Sequence, residues 1–331
     1  MSNKTVRIYS CGGAGTNIVA NTNLNALTRS NNVEIFPAYI DTSRSNLPSS
    51  VETNTVYLFK DLDGSGKIRR ENYQVINQHI REILLQHKPG DFNIVVSSAS
   101  GGSGSVIAPE LVSELIERGH NVVVLTVGST SSKIEIENTI KTIKSYANIS
   151  QRRQFPVVMG YYQNSKTMNQ SMVDERIRAD ISALVTLVAM TAVETSGLDT
   201  SDITHWLDFP KTTGGAVPPQ LAVFSMVTAK FSEIAEELGH VISVCTLAID
   251  KNSTDFHKVV DYQCTGILPS EAEYLRDMAP IHYIIADGFF EVVVSELDSI
   301  LRDLNEQAAA RVRGKSVFSG LTSDTESGTV L

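Results

Sequence analysis

One segment, residues 92–115, constrains the fold of this chain more than any other. Residues 92–96 form a mostly apolar run that predicts a buried strand, and eight small residues follow at 97–104. Val106, Leu111 and Leu115 then recur at helical spacing. Glycines let a backbone approach a ligand closely, and the start of a helix offers unpaired N–H groups. The segment therefore predicts an anion site, most plausibly for a di- or triphosphate. The candidate ligand residues are Ser100, Gly101, Gly102, Ser103, Gly104 and Ser105.

A second unit of the same kind opens the chain. A β-branched run at 5–9 leads into a glycine-rich loop at 11–17 and then into a helical pattern. The next strand, 33–40, ends at Asp41, and an acid in that place commonly faces a nucleotide bound over the first loop. The candidate residues of this unit are Gly12, Gly13, Ala14, Gly15, Thr16, Asn17 and Asp41.

Strands and helices continue to alternate through the first half, which predicts an α/β fold with a mostly parallel sheet. Further strands are predicted at 56–59, 121–127 and 156–161, and helices at 73–87 and 135–147. Because the carboxyl ends of parallel strands share one edge, the loops after them should gather on one rim, where ligands bind. These loops are 11–17, 41–43, 60–67, 97–105, 128–133 and 162–170.

A long helix is predicted at 174–194, and it is apolar around most of its girth, which indicates burial on several sides. The following half predicts a smaller α+β domain that ends in a long helix. Its strands are predicted at 221–229, 241–250, 258–268 and 281–286, and its helices at 231–238, 270–278 and 288–310. We expect four regions: a nucleotide domain (1–173), a connecting helix (174–196), a second domain (197–287) and a terminal helix with tail (288–331).

Composition excludes several classes of protein. The net charge of −9 argues against broad, nonspecific nucleic-acid binding, and we expect no direct sequence-specific binding of nucleic acid either. Three widely spaced cysteines fit a reducing cytosol better than a disulfide scaffold, and they show no metal-ligand spacing. The sequence contains no run of 18 apolar residues and no signal peptide, so we expect a cytoplasmic protein without a membrane partner.

Three familiar ligand motifs fail on inspection. Residues 61–72 resemble a calcium loop, but Asn72 stands where the bidentate Glu is required. Gly314-Lys315-Ser316 ends like a P-loop, but Ala309 takes the place of the first glycine. A dinucleotide fingerprint starting at Gly13 has Ile18 in place of its third glycine. We therefore expect 61–72 to be a turn whose Gly64, Ser65 and Gly66 lie near the terminal phosphate.

The order of elements and loops resembles the tubulin/FtsZ superfamily, whose signature loop is Gly-Gly-Gly-Thr/Ser-Gly-Ser/Thr. Residues 100–105 read Ser-Gly-Gly-Ser-Gly-Ser, and the loop at 11–17 is similar to the first nucleotide loop of FtsZ. After the long helix, Leu198-Asp-Thr-Ser-Asp202 keeps the two acids of the family's acidic loop but lacks its Asn. The glycine loop, the Leu-Asp-x-x-Asp loop followed by Trp206 and the short tail most resemble the bacteriophage tubulins (PhuZ).

The resemblance implies a GTPase that uses GTP/GDP and Mg²⁺. By matching position, the two glycine loops would cradle the phosphates, and Asn164 and Asp174 would recognise guanine. For Asp174 the alternative is a plain N-terminal acid that the helix dipole stabilises. The resemblance names no protein ligand for Mg²⁺.

The resemblance also implies that one GTP site is completed by two molecules. Asp202, assisted by Asp199, would come from the next subunit of a head-to-tail homopolymer and would activate hydrolysis. The alternative is that both acids only cap the short helix that follows them. The tail would contact a neighbouring subunit, although it carries few acids.

By the same resemblance, the filament would position replicating phage DNA, its compartment or a capsid in the host cytoplasm. Three alternatives stay open: a plasmid-segregation or cell-division homologue (TubZ or FtsZ type), a polymer or capping protein that binds nucleotide without hydrolysis, and a nucleotide-dependent oxidoreductase that uses Asp41.

Overall fold

The computed structural model of the chain describes residues 4–60, 62–165, 167–228, 239–250, 260–270 and 272–313. Ten strands form one sheet in the order β3-β2-β1-β4-β5-β6-β7-β10-β8-β9. The strands are β1 (Thr5–Cys11), β2 (Glu34–Asp41), β3 (Val56–Leu58), β4 (Phe92–Ser98), β5 (Val122–Ser129), β6 (Val157–Asn164), β7 (Leu221–Val227), β8 (Val241–Ala248), β9 (Tyr262–Ile267) and β10 (Ile281–Ala286).

Helices cover both faces of the sheet. They are α1 (Gly12–Ala20), α2 (Leu24–Asn31), α3 (Tyr73–Gln86), α4 (Gly104–Glu117), α5 (Lys133–Arg153), α6 (Gln170–Met190), α7 (Thr200–Leu207), α8 (Phe209–Thr212), α9 (Glu273–Arg276) and α10 (Phe289–Arg313). The chain therefore has the predicted α/β architecture.

The continuous apolar strands are explained by two cores, one on each side of the sheet. Successive side chains of a strand point to opposite faces. In β1, Val6 and Ile8 join the core beneath α1 and α6, whereas Tyr9 and Cys11 join the core beneath α3, α4 and α5. A strand buried on both faces has no polar side to show. This is why β4 and β5 are mostly apolar and show no alternation of polar and apolar residues.

The first half has the predicted parallel order. From β3 to β7 every neighbouring pair is parallel, and β10 is the strand that runs antiparallel to its neighbours β7 and β8. Because β7 pairs with β6, the sheet continues from the first half of the chain into the second. Two of the four predicted regions, 1–173 and 197–287, thus contribute strands to one sheet, and the boundaries of all four regions stay a prediction.

Some predicted boundaries were wrong. The central helix α6 spans Gln170–Met190 and not 174–194, because Asn169 caps it by accepting from the Met172 N–H at 3.1 Å. The helix predicted at 270–278 is only the single turn α9. The helix predicted at 231–238 and the tail from 314 lie outside the described residues. Within the described part of the chain, no helix is long and apolar enough to span a membrane.

Candidate functional site

The two glycine loops meet at the carboxyl ends of β1 and β4, which are adjacent in the sheet. Helix α1 begins at Gly12 and α4 begins at Gly104. A Cβ on Gly12 would lie 2.8 Å from the Gly104 nitrogen, and one on Gly104 would lie 2.4 Å from the Cys11 carbonyl oxygen. Only glycine at both places lets the helix starts come this close. Two sets of unpaired N–H groups, each at a positive dipole end, therefore converge on one point.

Several predicted residues build these loops from within. A Cβ on Gly15 would lie 2.4 Å from the Val96 carbonyl oxygen, so this glycine packs α1 against β4. Thr16 is fully buried and accepts a hydrogen bond from Ser10 at 3.3 Å. The buried Ser105 hydroxyl lies 2.6 Å from the Gly101 carbonyl oxygen and 2.9 Å from that of Gly102. These side chains shape the backbone that a ligand would meet.

The remaining small residues of the loops lie nearer the surface. Ala14 and Gly101 are partly exposed, and a Cβ on Gly101 would meet only Ser98, at 3.9 Å. The Ser100 hydroxyl lies 2.9 Å from that of Ser98. The Ser103 hydroxyl lies 2.5 Å from the Thr42 hydroxyl. This group therefore offers hydroxyls and an open glycine on the rim.

Asp41, at the end of β2, is 1% exposed and supports the neighbouring turn. Its Oδ1 accepts from the Thr42 N–H at 2.7 Å and the Ser43 N–H at 3.1 Å, and its Oδ2 accepts from the Asn46 amide at 3.1 Å. Burial raises the pKa of Asp41, while these hydrogen bonds oppose the rise. Asp41 thus holds Asn46 against Gly13, whose Cβ would lie 2.9 Å from the Asn46 side chain. No motif or spacing in the sequence pointed to Asn46.

The turn at 62–67 covers the second glycine loop. Its backbone is anchored where the Gly64 N–H donates to the Thr42 carbonyl at 3.1 Å. A Cβ on Gly102 would lie 1.8 Å from the Ser65 hydroxyl and 2.9 Å from the Lys67 Cα. Gly64 and Gly66 have positive φ and no neighbour near a would-be Cβ. The prediction that this turn lies beside the phosphate loop is consistent with these contacts.

The former calcium candidate shows no cation site in the described residues. Asp63 accepts a hydrogen bond from the Ser43 hydroxyl at 2.9 Å, and Asn72 donates to the Gly64 carbonyl at 2.7 Å. Asp61 lies outside the described residues. Across the described ranges, no group of three or more His, Cys, Asp and Glu side chains could hold a metal ion.

Helix α5 fastens this turn to the glycine loop through two residues that sequence reasoning missed. The buried Asn138 amide donates to the carbonyl oxygens of Lys67 (2.9 Å), Ser100 (3.1 Å) and Gly101 (3.3 Å). Glu135 pairs with the Lys67 ammonium at 2.5 Å. Burial raises the pKa of Glu135, but its bonds from Lys67 and Ser129 outweigh burial and lower it.

The two predicted base-recognition residues lie on neighbouring elements. Asn164 ends β6, and its amide oxygen is buried and has no hydrogen-bond partner within the described structure. Asp174 lies in the second turn of α6, and burial raises the pKa of its carboxyl. Its Oδ2 accepts a hydrogen bond from the Asn17 amide at 3.1 Å. The first loop and the central helix are therefore joined at this point.

The acidic loop forms a capping box at the start of α7. Asp199 accepts from the N–H groups of Ser201 (2.7 Å) and Asp202 (3.0 Å), and Asp202 accepts in return from the Asp199 N–H at 2.9 Å. The Tyr262 hydroxyl also donates to Asp202, at 3.3 Å. The capping interpretation is thus correct for the isolated chain, and both carboxylates are held in fixed orientations.

The acidic loop and the glycine loops lie at opposite ends of the sheet. The Lys4 ammonium, just before β1, donates to the Thr200 hydroxyl at 2.6 Å. The Asn121 amide, just before β5, donates to the Thr204 hydroxyl at 3.1 Å. Helix α7 therefore lies at the amino end of β1, whose carboxyl end carries the first glycine loop, and of β5, which is parallel to β4, the strand before the second glycine loop. The seven residues of β1 alone span about 20 Å.

Comparison with known proteins identifies the family. No protein-family model matches the chain. A phage tubulin-like protein of Pseudomonas phage phiKZ is 30% identical over 325 residues, covering 95% of this chain and 94% of the relative. The chain belongs to the phage tubulin-like proteins. A phage tubulin-like protein of Pseudomonas phage PhiPA3 is 28% identical over 316 residues, covering 95% of this chain and 93% of the relative.

Solved structures confirm the tubulin/FtsZ-like fold that the sequence predicted. A protofilament of TubZ from bacteriophage PhiKZ matches with a TM-score of 0.82 and 30% identity, covering 100% of both chains. The phage tubulin PhuZ, described with GDP, matches with a TM-score of 0.82 and 22% identity over 100% of both chains. The resemblance to bacteriophage tubulins is therefore confirmed.

Proposed function

We propose that the chain binds GTP at the converging glycine loops, assembles head to tail, and hydrolyses GTP where the acidic loop of one subunit meets the site of the next. The observation that carries this proposal is the position of the two features. Asp199 and Asp202 lie at the amino ends of the strands, and the glycine loops lie at the carboxyl ends. Within one molecule they cannot meet. Stacking one subunit on another brings them together.

Phosphate binding follows from the backbone. The first N–H groups of α1 and α4 would donate to the phosphates, and the Ser103 and Thr42 hydroxyls, 2.5 Å apart, lie on the same rim. The turn at 62–67 covers Gly102 and is the nearest segment to a terminal phosphate. Mg²⁺ would neutralise phosphate charge there, and such an ion is held largely by phosphate oxygens and water. The matching phiKZ structure is described as a protofilament, which supports assembly.

Base recognition falls to Asn164 and Asp174. A carboxylate suits guanine because the base presents N1–H and N2–H₂ as a pair of donors. The buried Asn164 oxygen, which has no partner in the described residues, is an acceptor that guanine can use. Asn17 holds the Asp174 carboxylate at 3.1 Å, so base recognition and the first phosphate loop share one hydrogen bond.

Hydrolysis requires a water molecule aligned with the terminal phosphorus, and the incoming acids supply its orientation. Asp202 is the main candidate because its two oxygens accept from the Asp199 N–H and the Tyr262 hydroxyl, which fix the carboxylate. A fixed carboxylate orients water without reorganising during the reaction. Asp199 assists from the adjacent cap position.

The decisive experiment measures light scattering and phosphate release together over a dilution series of protein with GTP and Mg²⁺. The informative variant is Asp202→Asn, because an amide oxygen still accepts the capping hydrogen bond while the negative charge is lost. We expect wild type to release phosphate only above the concentration at which it assembles. We expect Asp202→Asn to assemble and to release phosphate at least 100-fold more slowly.

The matched control is Glu194→Gln, which removes one acid from the exposed groove beside Asp199 without touching the cap. This variant should hydrolyse GTP at close to the wild-type rate. Phosphate release that is proportional to protein at every concentration, with no scattering, would show that the site is complete in one molecule. Equal loss in both variants would show that general surface charge, and not Asp202, is responsible.

The cellular role is proposed from the phage relatives. We propose that the filaments position replicating phage DNA, its compartment or capsids in the cytoplasm of an infected host, and that the tail contacts a neighbouring subunit. The support is that the matched relatives are phage proteins. Imaging of a labelled copy during infection tests this role. Filaments that leave the phage DNA unpositioned when Asp202→Asn replaces wild type support it, whereas normal positioning contradicts it.

A further inference from the structure

A tyrosine and a buried aspartate join the two elements that carry the proposed guanine-binding residues. Tyr162 lies on β6, two residues before Asn164. Asp180 lies on α6, six residues after Asp174. The Tyr162 hydroxyl donates a hydrogen bond to Asp180 Oδ2. Neither residue belongs to a family motif in the sequence, and neither touches the glycine loops.

The Tyr162–Asp180 contact fixes the position of β6 relative to α6, the two elements that carry Asn164 and Asp174. Side chains of a strand alternate, so Tyr162 and Asn164 point to the same face of β6, the face that packs on α6. The contact lies about 7 Å along the strand from Asn164. It lies about 9 Å along the helix from Asp174. A shift of strand against helix at this point moves the two base-binding side chains relative to each other.

Burying the Asp180 carboxyl is unfavourable for the stability of the fold. The residue is 1% exposed, and burial raises the pKa of its carboxyl to about 6. Its Oδ1 has no hydrogen-bond partner among the described residues, and the Arg176 guanidinium lies 3.8 Å away. An apolar side chain of similar size would cost less to bury. The aspartate instead provides one directional bond, to Tyr162, at a fixed place.

We propose that the Tyr162–Asp180 hydrogen bond is a positioning device that sets the spacing of Asn164 and Asp174 and thereby the selectivity for guanine over bases without a 2-amino group. This inference rests on the proposed GTP site. A carboxylate that accepts from N1–H and N2–H₂ together needs a closely defined position. When the spacing relaxes, the bond to the 2-amino group is lost first, and guanine keeps little advantage over hypoxanthine.

The test compares GDP with inosine diphosphate, which lacks the 2-amino group, by isothermal titration calorimetry on the full chain. Diphosphates are used so that hydrolysis does not interfere. Tyr162→Phe removes the hydroxyl and keeps the ring. We expect the ratio of GDP affinity to inosine diphosphate affinity to fall about tenfold, the loss of roughly one hydrogen bond.

Two further variants separate positioning from general damage. Tyr161→Phe removes the neighbouring hydroxyl, which donates to Gln163 on the opposite face of β6 and packs near Phe289 and Phe290. This control should keep the wild-type ratio. Asp180→Asn retains an oxygen that accepts from Tyr162 and should also keep the ratio, whereas Asp180→Leu should lower it as Tyr162→Phe does.

The outcomes are distinct. A tenfold fall in Tyr162→Phe and Asp180→Leu, with Tyr161→Phe and Asp180→Asn within about twofold of wild type, supports the inference. A wild-type ratio in Tyr162→Phe, or the same fall in Tyr161→Phe, overturns it and leaves the GTP site standing. Wild-type protein that binds no GDP refutes the proposed function and this inference with it. Wild type that binds both nucleotides equally refutes the inference alone.

Discussion

Gly104 is the position where a single methyl group should do most damage to the candidate site. The would-be Cβ of Gly104→Ala lies 2.4 Å from the Cys11 carbonyl oxygen and 3.2 Å from its carbonyl carbon. Ordinary contact begins near 3.4 Å, so the start of α4 must move by about 1 Å away from the end of β1. Backbone atoms cannot rotate aside as a side chain can. Overpacking of this kind costs about 1–3 kcal/mol.

The assay combines thermal unfolding with GDP titration. For a chain of 331 residues, a loss of about 1–3 kcal/mol should lower the melting temperature of Gly104→Ala by roughly 1.5–4.5 °C relative to wild type. Because the displaced helix carries half of the converging N–H groups, GDP binding should weaken about tenfold or more. The control is Gly101→Ala, whose Cβ would meet only the Ser98 side chain at 3.9 Å. This variant should unfold within about 1 °C of wild type.

The test depends on the difference in stability between Gly104→Ala and Gly101→Ala. If Gly101→Ala destabilises the protein as much as Gly104→Ala, the loop tolerates no methyl group anywhere and the close approach at Gly104 is not the cause. If Gly104→Ala unfolds and binds GDP as wild type does, the two helix starts do not need to converge as closely as the structure places them.

Three other outcomes follow from buried polar groups. Asp180→Asn should be more stable than wild type by up to about 3 kcal/mol at pH 7.5, because burial raises the pKa of the Asp180 carboxyl in the folded state to about 6 from 3.8. This difference in unfolding free energy, measured by chemical unfolding, should disappear as the pH falls from 6 towards 4 and Asp180 becomes protonated. Asn138→Ala leaves three loop carbonyls without their donor, so it should cost about 1–3 kcal/mol and weaken GDP binding in titration. Trp206→Phe, at the sole tryptophan, removes the N–H that donates to the Tyr283 carbonyl at 3.1 Å and replaces a fully buried ring by a smaller one. Because both changes destabilise the fold, the unfolding free energy measured in circular-dichroism melts should fall by about 1–3 kcal/mol.

Much of the first half of the chain could be predicted because its strands and glycine loops are determined by residues that are close together in the sequence. A strand buried on both faces must be mostly apolar, as residues 92–96 are, and a loop that brings two helix starts together must contain glycine. Strand alternation with helices then fixes which ends of the strands share a rim. These rules place both glycine loops on one rim, whereas the pairing of β1 with β4, which brings Gly12 next to Gly104, was not predicted.

The parts that could not be predicted depend on side-chain bonds between distant segments. Asn138 bonds to carbonyls 37 and 38 residues away along the chain, and no local pattern announces such a partner. The start of α6 was placed four residues too late because Asn169 was not recognised as the residue that caps the helix. Asp41 was predicted to face a nucleotide, which stays a prediction, and its hydrogen bond from Asn46 shows that it braces the turn against Gly13.

The two acids of the 199–202 loop were open to a capping and a catalytic interpretation, and the structure makes these compatible. The capping box fixes both carboxylates in the isolated chain, and their place at the far end of the sheet leaves them free to serve another molecule. The interpretations separate by substitution. Asn caps a helix about as well as Asp, whereas Ala costs about 1 kcal/mol at such a position. If the acids only cap, Asp199→Asn and Asp202→Asn should hydrolyse GTP normally and only the Ala variants should lose stability. If they also activate water, Asp202→Asn should keep its melting temperature and its assembly threshold while phosphate release stops.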